Sequence, residues 1–196
     1  TYSYVADSST NSLGVGESAV DIFTYTVHSG NSDFTQTITV TVVGQNDDPV
    51  FTSSGTSITY TDTQNNDIGS ITTATGTLTA SDADTSDNGH LTFGISGGSA
   101  DISNPGFDIS SSSPYGTLYV NSQTGAYAFV PDDAAIEALK TTVDYSFNFT
   151  VTDGHGSPVL QEIDFHFDGV NDKPTLGVIA SATYNDTSAS DDFVTT

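Results

Sequence analysis

Two stretches of the chain alternate strictly between large apolar and polar side chains: Tyr145-Ser146-Phe147-Asn148-Phe149-Thr150-Val151 and Ile163-Asp164-Phe165-His166-Phe167-Asp168. A period of two gives a strand with one face for a core and one for water. Further strands are predicted at Thr56 to Thr61, Ala74 to Ser81, His90 to Ile95, Gly116 to Val120 and Gly125 to Val130, separated by turns rich in Gly, Asn, Asp and Ser. Seven short antiparallel strands at this spacing predict an all-β, seven-stranded Greek-key β-sandwich of the immunoglobulin-like type. One helical turn is expected after Pro131, where Asp132 or Asp133 can cap and Ala134 to Leu139 supply helix formers.

The pattern is written more than once. Phe23-Thr24-Tyr25-Thr26-Val27 returns 124 residues later as Phe147-Asn148-Phe149-Thr150-Val151, and Thr59-Tyr60-Thr61-Asp62-Thr63 returns at the same offset as Thr183-Tyr184-Asn185-Asp186-Thr187. A tandem array follows: residues 1–45 as the C-terminal part of a first repeat, 46–172 as linker plus complete repeat, and 173–196 as the start of a third. In the first repeat Ile38, Val40 and Val42 should point inward and Thr37, Thr39 and Thr41 outward, but that repeat lacks opening strands of its own. The expectation is completion by a neighbouring copy, with 175–196 as a candidate donor through strand addition.

Charge sharpens this picture. The chain carries 25 acidic residues against two basic ones, Lys140 and Lys173, for a net charge of -23, and only Glu17, Glu137 and Glu162 of the acids are Glu. Asp in such excess belongs to turns and cation loops rather than helix surfaces. Nucleic acid and anionic membrane are excluded as partners, because phosphate recognition needs Lys and Arg. With no Cys there are no disulfides or thiolate metal sites. No window is apolar for long enough to span a bilayer as a helix.

The acids concentrate where repeats join. Gly44-Gln45-Asn46-Asp47-Asp48-Pro49 and Gly169-Val170-Asn171-Asp172-Lys173-Pro174 each follow an alternating strand, with Asn171 lying 125 residues after Asn46. Oxygen ligands at a repeat junction suit a hard cation such as calcium. Any single Asp or Asn beside Gly or Pro is also an ordinary turn former, so the case rests on the two matching junctions. The order Asp62, Asp82-Ala83-Asp84, Asn88-Gly89, Asp153-Gly154, Asn171-Asp172 resembles cadherin repeats, and more closely the cadherin-like, VCBS-type repeats of large bacterial RTX-type surface adhesins. Leu78-Thr79-Ala80-Ser81-Asp82-Ala83-Asp84 is similar to the segment carrying the DxD pair, and both Asn-Asp-x-Pro junctions fall where that family has them.

That resemblance implies a calcium site at the first junction built from Asn46, Asp47 and Asp48 of the linker, Asp82 and Asp84, Asp153 and Glu17, with Asn88 or Gly89 adding a backbone oxygen. It implies a poorer second site from Asp62, Asn171 and Asp172, since the next DxD lies beyond Thr196. Departures are Gly44 and Gly169 where cadherin linkers begin with Asp, Lys173 for the last Asn, and Lys140 near the position matching Glu17. The implied role is a non-enzymatic, calcium-rigidified spacer of a secreted or cell-surface bacterial adhesin, supporting cell adhesion or biofilm formation. Its partners would be neighbouring repeats and head-to-tail copies. The alternative is a calcium-dependent polysaccharide-binding module that stacks sugars on Tyr2, Tyr4, Tyr60, Tyr115 or Tyr184. An EF-hand at Asp82–Gly89 lacks its downstream Glu, and His28, His90, His155 and His166 read as solvated side chains rather than zinc ligands.

Overall fold

The computed structural model describes residues 2–55, 57–64, 71–174, 176–178 and 180–181. The first elements are a 3₁₀ turn, Ser8–Ser12, and a long hairpin of β1 (Ser18–Ser29) and β2 (Ser32–Val43), which form a sheet by themselves. Gly30 makes its tight turn with φ of 61°, a backbone conformation open to glycine at no steric cost.

The sandwich follows as β3 (Val50–Phe51), β4 (Ile58–Thr61), β5 (Ala74–Thr77), β6 (Ala80–Ser81), β7 (Thr92–Ile95), β8 (Ser99–Ala100), β9 (Ile109–Ser113), β10 (Gly116–Val120), β11 (Ala126–Pro131), α1 (Asp133–Glu137), β12 (Val143–Thr152) and β13 (Val159–Asp168). One sheet runs β5-β11-β10-β9-β8 and the other β4-β13-β12-β7, with a small β3-β6 pair at one end. The chain crosses between the sheets repeatedly, as a Greek-key sandwich requires.

The expected all-β sandwich is therefore present, with corrections to its detail. The strand count exceeds seven, because β3, β8 and β9 are added and the expected Ala74–Ser81 strand is split into β5 and β6. That split carries the chain from the five-stranded sheet to the pairing with β3. The strands are not all antiparallel either, since β4 runs parallel to β13, with Ile58 opposite Phe165 and Tyr60 opposite Phe167. Two consecutive short strands at an edge can enter different sheets in this way.

The alternation of β12 and β13 does what the sequence pattern says. Phe147, Phe149, Val151, Ile163, Phe165 and Phe167 are buried between the sheets and meet Leu118, Val120 and Phe129 from the facing sheet. Phe129 and Phe165 have ring centroids 4.4 Å apart, and Phe165 meets Phe147 edge-on. Each buried ring removes enough apolar surface from water to contribute about 2 kcal/mol or more, which holds the sandwich without disulfides. Asp132 caps α1 by accepting from the Ala135 N–H at 3.1 Å.

The hairpin differs from the sandwich. Ile38, Val40 and Val42 share a face as expected, yet no sheet among the described residues covers it, and β1 is exposed almost throughout. Most of 175–196, the candidate donor for this hairpin, lies outside the described residues. No helix among the described residues is long and apolar enough to cross a membrane.

Candidate metal centres at the two junctions

At the first junction the linker folds back onto two loops of the complete repeat. The Asp47 N–H donates to Asp84 Oδ2 at 2.9 Å, and the Asn46 side-chain amide donates to Asp153 Oδ2 at 3.0 Å. The loop after β6 is closed by its own acids: the Asp84 N–H donates to Asp82 Oδ1 at 2.8 Å, and the Asp82 N–H donates to Asn88 Oδ1 at 3.0 Å. Asn88 returns the favour through its amide, which donates to the Asp82 carbonyl at 2.8 Å. The carboxylates of Asp82, Asp84 and Asp87 present oxygens within 4.8 Å of one another, and Asp87, Asp153 and His155 form an overlapping group at the same spacing.

Asp84 is 0% exposed and Asp82 is buried with it. Asp84 Oδ1, Asp82 Oδ2 and Asn46 Oδ1 are all buried with no hydrogen-bond partner. An orphaned buried oxygen normally costs the desolvation of that group, so three at one seam call for a ligand. Burial pushes the Asp82 carboxyl above its ordinary pKa, and the negative charges of Asp84, Asp153 and Asp87 push the same way against the Asp84 N–H. Burial also raises Asp153, but the His155 N–H and the Asn46 amide outweigh it and hold that carboxyl below its ordinary value.

The segment ahead of β1 touches this cluster through its backbone. The Thr85 N–H donates to the Ser12 carbonyl at 3.2 Å, and the buried Gly14 packs so closely that a methyl group there would stand 3.4 Å from Asp84 Cβ. Glu17 is half-buried and its carboxylate accepts from the Gly14 N–H at 3.0 Å, so it braces the loop against Asp84 rather than joining the grouped acids. Asp48 is exposed and faces Gly156.

The second junction repeats the linker geometry with a different acid set. Asn171 donates to the Asp172 carbonyl at 3.0 Å, as Asn46 does to the Asp47 carbonyl at 3.0 Å. Asp62, Glu137 and Asp172 present carboxylate oxygens within 4.8 Å of one another. Asp62 is 2% exposed and Glu137 3% exposed. Asp62 Oδ2 accepts from the Val170 N–H at 2.9 Å, while Asp62 Oδ1 and Asp172 Oδ1 are buried without a partner. Asn171 itself is exposed, and its amide is turned to the linker backbone.

The two glycines that open the linkers have a shared cause. A Cβ on Gly44 would meet the Gly14 carbonyl oxygen at 2.2 Å, and one on Gly169 would meet Leu139 Cβ at 2.4 Å. The linker passes too close to the preceding loop for any side chain, which excludes an Asp at either position.

Sequence reading missed three members of these clusters: Asp87, His155 and Glu137. Asp87 follows Asp82 and Asp84 in one loop and was legible as a third acid. Glu137 read only as a helix former, and α1 is what carries it under Asp62. Among the tyrosines offered as sugar platforms, Tyr60 is 7% exposed and stacks on Phe167, and Tyr115 packs 4.8 Å from Phe167. Those two belong to the core, and Tyr184 lies outside the described residues.

No family model matches the chain, and no curated protein matches it. Among solved structures it is similar to mouse clustered PcdhgC3 EC1-3, at 16% identity over 79% of this chain and 44% of that one, with a TM-score of 0.41. It is similar to the extracellular cadherin domains 1-5 of Protocadherin Gamma B2, at 13% identity over 82% of this chain and 27% of that one, TM-score 0.42. The human Desmocollin-1 ectodomain aligns at 12% identity over 80% and 28% of the two chains, TM-score 0.35. The chain thus spans less than half the length of these structures. Sheet order and burial, as set out above, define the class: a β-sandwich flanked by two acid-lined junctions.

Proposed function

We propose that this chain is a calcium-rigidified spacer from a tandem array of cadherin-like repeats, belonging to a secreted or cell-surface bacterial adhesin of the VCBS and RTX kind and supporting cell adhesion or biofilm formation. The reading is non-enzymatic. The observation that carries it is the set of buried, partnerless carboxylate oxygens at both seams. Apart from the His155 imidazole in one group the donors are oxygen, which fits a hard cation of the calcium type and disfavours soft metals.

At the first junction Asp82, Asp84, Asp87, Asp153, Asn46 and Asp47 would hold the ion; at the second, Asp62, Glu137 and Asp172 would. When bound, calcium supplies the positive charge that these oxygens lack. Without it, carboxylates this close repel by a few kcal/mol per pair at intermediate dielectric, so the linker is pushed away from the loops it must touch. Filling at about 10⁻⁴ to 10⁻³ M, typical of extracellular modules, makes the stiffness follow the calcium outside a cell.

The test combines calorimetric titration with small-angle scattering in calcium and in chelator. Calcium uptake with a more extended, stiffer particle is the expected result. No heat of binding and an unchanged scattering profile would refute the proposal.

A further inference from the structure

The hairpin β1–β2 copies β12–β13 pair by pair. Opposite residues in the complete repeat are Val143 with Phe167, Tyr145 with Phe165, Phe147 with Ile163, Phe149 with Gln161 and Val151 with Val159. In the hairpin the successive pairs are Ala19 with Val42, Asp21 with Val40, Phe23 with Ile38, Tyr25 with Gln36 and Val27 with Phe34. Phe23, Tyr25, Ile38, Gln36 and Val27 keep the character of Phe147, Phe149, Ile163, Gln161 and Val151, while Val42, Val40 and Asp21 stand opposite their partners where Phe167, Phe165 and Tyr145 do, and Phe34 stands for Val159. Directly opposed residues share a face, so each set forms one apolar face. In β12–β13 that face is buried in the core. In β1–β2, Phe23 is 48% exposed and Phe34 62% exposed.

The segment before the hairpin continues the correspondence. Tyr2, Tyr4 and Asp7 lie 125 residues ahead of Tyr127, Phe129 and Asp132. Asp7 caps the Ser8–Ser12 turn through the Ser9 N–H at 2.8 Å, as Asp132 caps α1. Tyr4 meets Phe23 edge-on, with ring centroids 5.9 Å apart at 66°, where Phe129 meets Phe147 at 6.2 Å and 61°. Residues 2–5 therefore occupy the place of β11. There β11 is hydrogen-bonded between β5 and β10, whereas residues 2–5 belong to no sheet.

We infer that residues 2–43 are the back half of a sandwich, and that their bare apolar face is the docking surface for the front half of another repeat of this same kind. The occupant is a β-sheet whose strands correspond to β5, β9 and β10. It adds to both edges of residues 2–5 and lays side chains of the Leu118 and Val120 type over Phe23, Tyr25 and Ile38. The face is poor in polar groups for a sugar: they are Gln36, the Tyr25 hydroxyl and Asp21, and Asp21 already accepts from the Tyr4 hydroxyl at 2.6 Å. An identical copy is also a poor occupant, because its own front half is consumed by its own β12–β13. This inference stands apart from calcium binding.

The experiment joins residues 50–125 directly ahead of Thr1 of the whole chain, which restores the 125-residue register, and follows amide hydrogen exchange beside the unextended chain. The expected result is slow, core-like exchange of β1 and β2 in the extended protein, by about 100-fold or more over the unextended one, with less binding of a hydrophobic dye. Introducing Phe23→Asp into the extended protein should abolish that protection while exchange in β12–β13 stays slow. Unchanged exchange of β1–β2, or an added segment that stays unfolded, overturns the inference. So does a concentration-dependent dimer of the unextended chain in which the hairpin is already protected, since a second copy would then be the occupant.

Discussion

The two junctions share a linker and differ in what surrounds it. Each opens with a glycine pressed on the preceding loop, and each turns on an Asn whose amide holds the next carbonyl at 3.0 Å. At the first, the acids come from both loops at one end of the sandwich, tied to the linker by Asp47–Asp84 and Asn46–Asp153 hydrogen bonds. At the second, two buried acids, Asp62 and Glu137, come from the opposite end and meet Asp172. The sandwich thus carries an acid set at each end, and the linker only adds the last oxygens to a set prepared elsewhere.

Breaking the shared part should have the largest effect. Gly169→Ala forces a Cβ into Leu139 and the Thr141 carbonyl, and is expected to destabilise the sandwich by about 2 to 4 kcal/mol in urea unfolding. Gly44→Ala meets a tighter backbone clash but sits outside the sandwich core, so it should loosen the first seam with far less change in the main unfolding transition. Equal losses for both would sink the distinction.

Next comes the first acid set. At a hundredfold excess over its dissociation constant, calcium stabilises by about 2.7 kcal/mol. Asp84→Asn should erase the part of that gain due to the first junction, and should raise the stability of the metal-free protein, because one buried like charge is gone. Thermal melts in calcium and in chelator check both signs. A variant less stable in chelator would show that Asp84 is structural.

Glu137→Gln sharpens the comparison from the other side. It should weaken binding at the second junction by roughly tenfold, about 1.4 kcal/mol, and leave the first unaffected. Calorimetry that resolves two classes of site reads this directly.

The smallest effect serves as a control away from both seams. Asp108 accepts from the Ser122 hydroxyl at 2.6 Å and its N–H at 2.7 Å, and the Ser122 hydroxyl, then its N–H, hold the carboxyl below its ordinary value. A depressed carboxylate pKa stabilises the fold above the unfolded value of 3.8 and loses that contribution as pH falls through the lower folded value. Asp108→Asn should therefore cost about 1 kcal/mol at neutral pH, begin to approach the parent protein only below 3.8 and converge with it once pH has fallen through the lower folded value, and leave calcium binding unaltered.

The strands with strong alternation were legible in the chain because a period of two, in large side chains, has one physical solution: Phe147, Phe149, Phe165 and Phe167 must share a buried face. The acid-rich linkers were legible because Asn-Asp-x-Pro recurs at the repeat distance. β9 was not, since Ile109-Ser110-Ser111-Ser112-Ser113 carries no alternation and is a strand only because β10 and β8 supply its hydrogen bonds. Residues 2–5 were read as exposed tyrosines, and only their packing on Phe23 marks them as a strand position.

Local pattern thus determined by itself the all-β class and the inward faces of the strongly alternating strands, because side-chain alternation and turn chemistry act over a few residues. Tertiary structure alone decided that β4 runs parallel to β13, that Glu137 lies beside Asp62, and that Asp84 is sealed from water while Asp48 is not. Those outcomes depend on which distant backbones come within reach of one another, and proximity of that kind is a property of the packed sheets rather than of any stretch of the chain.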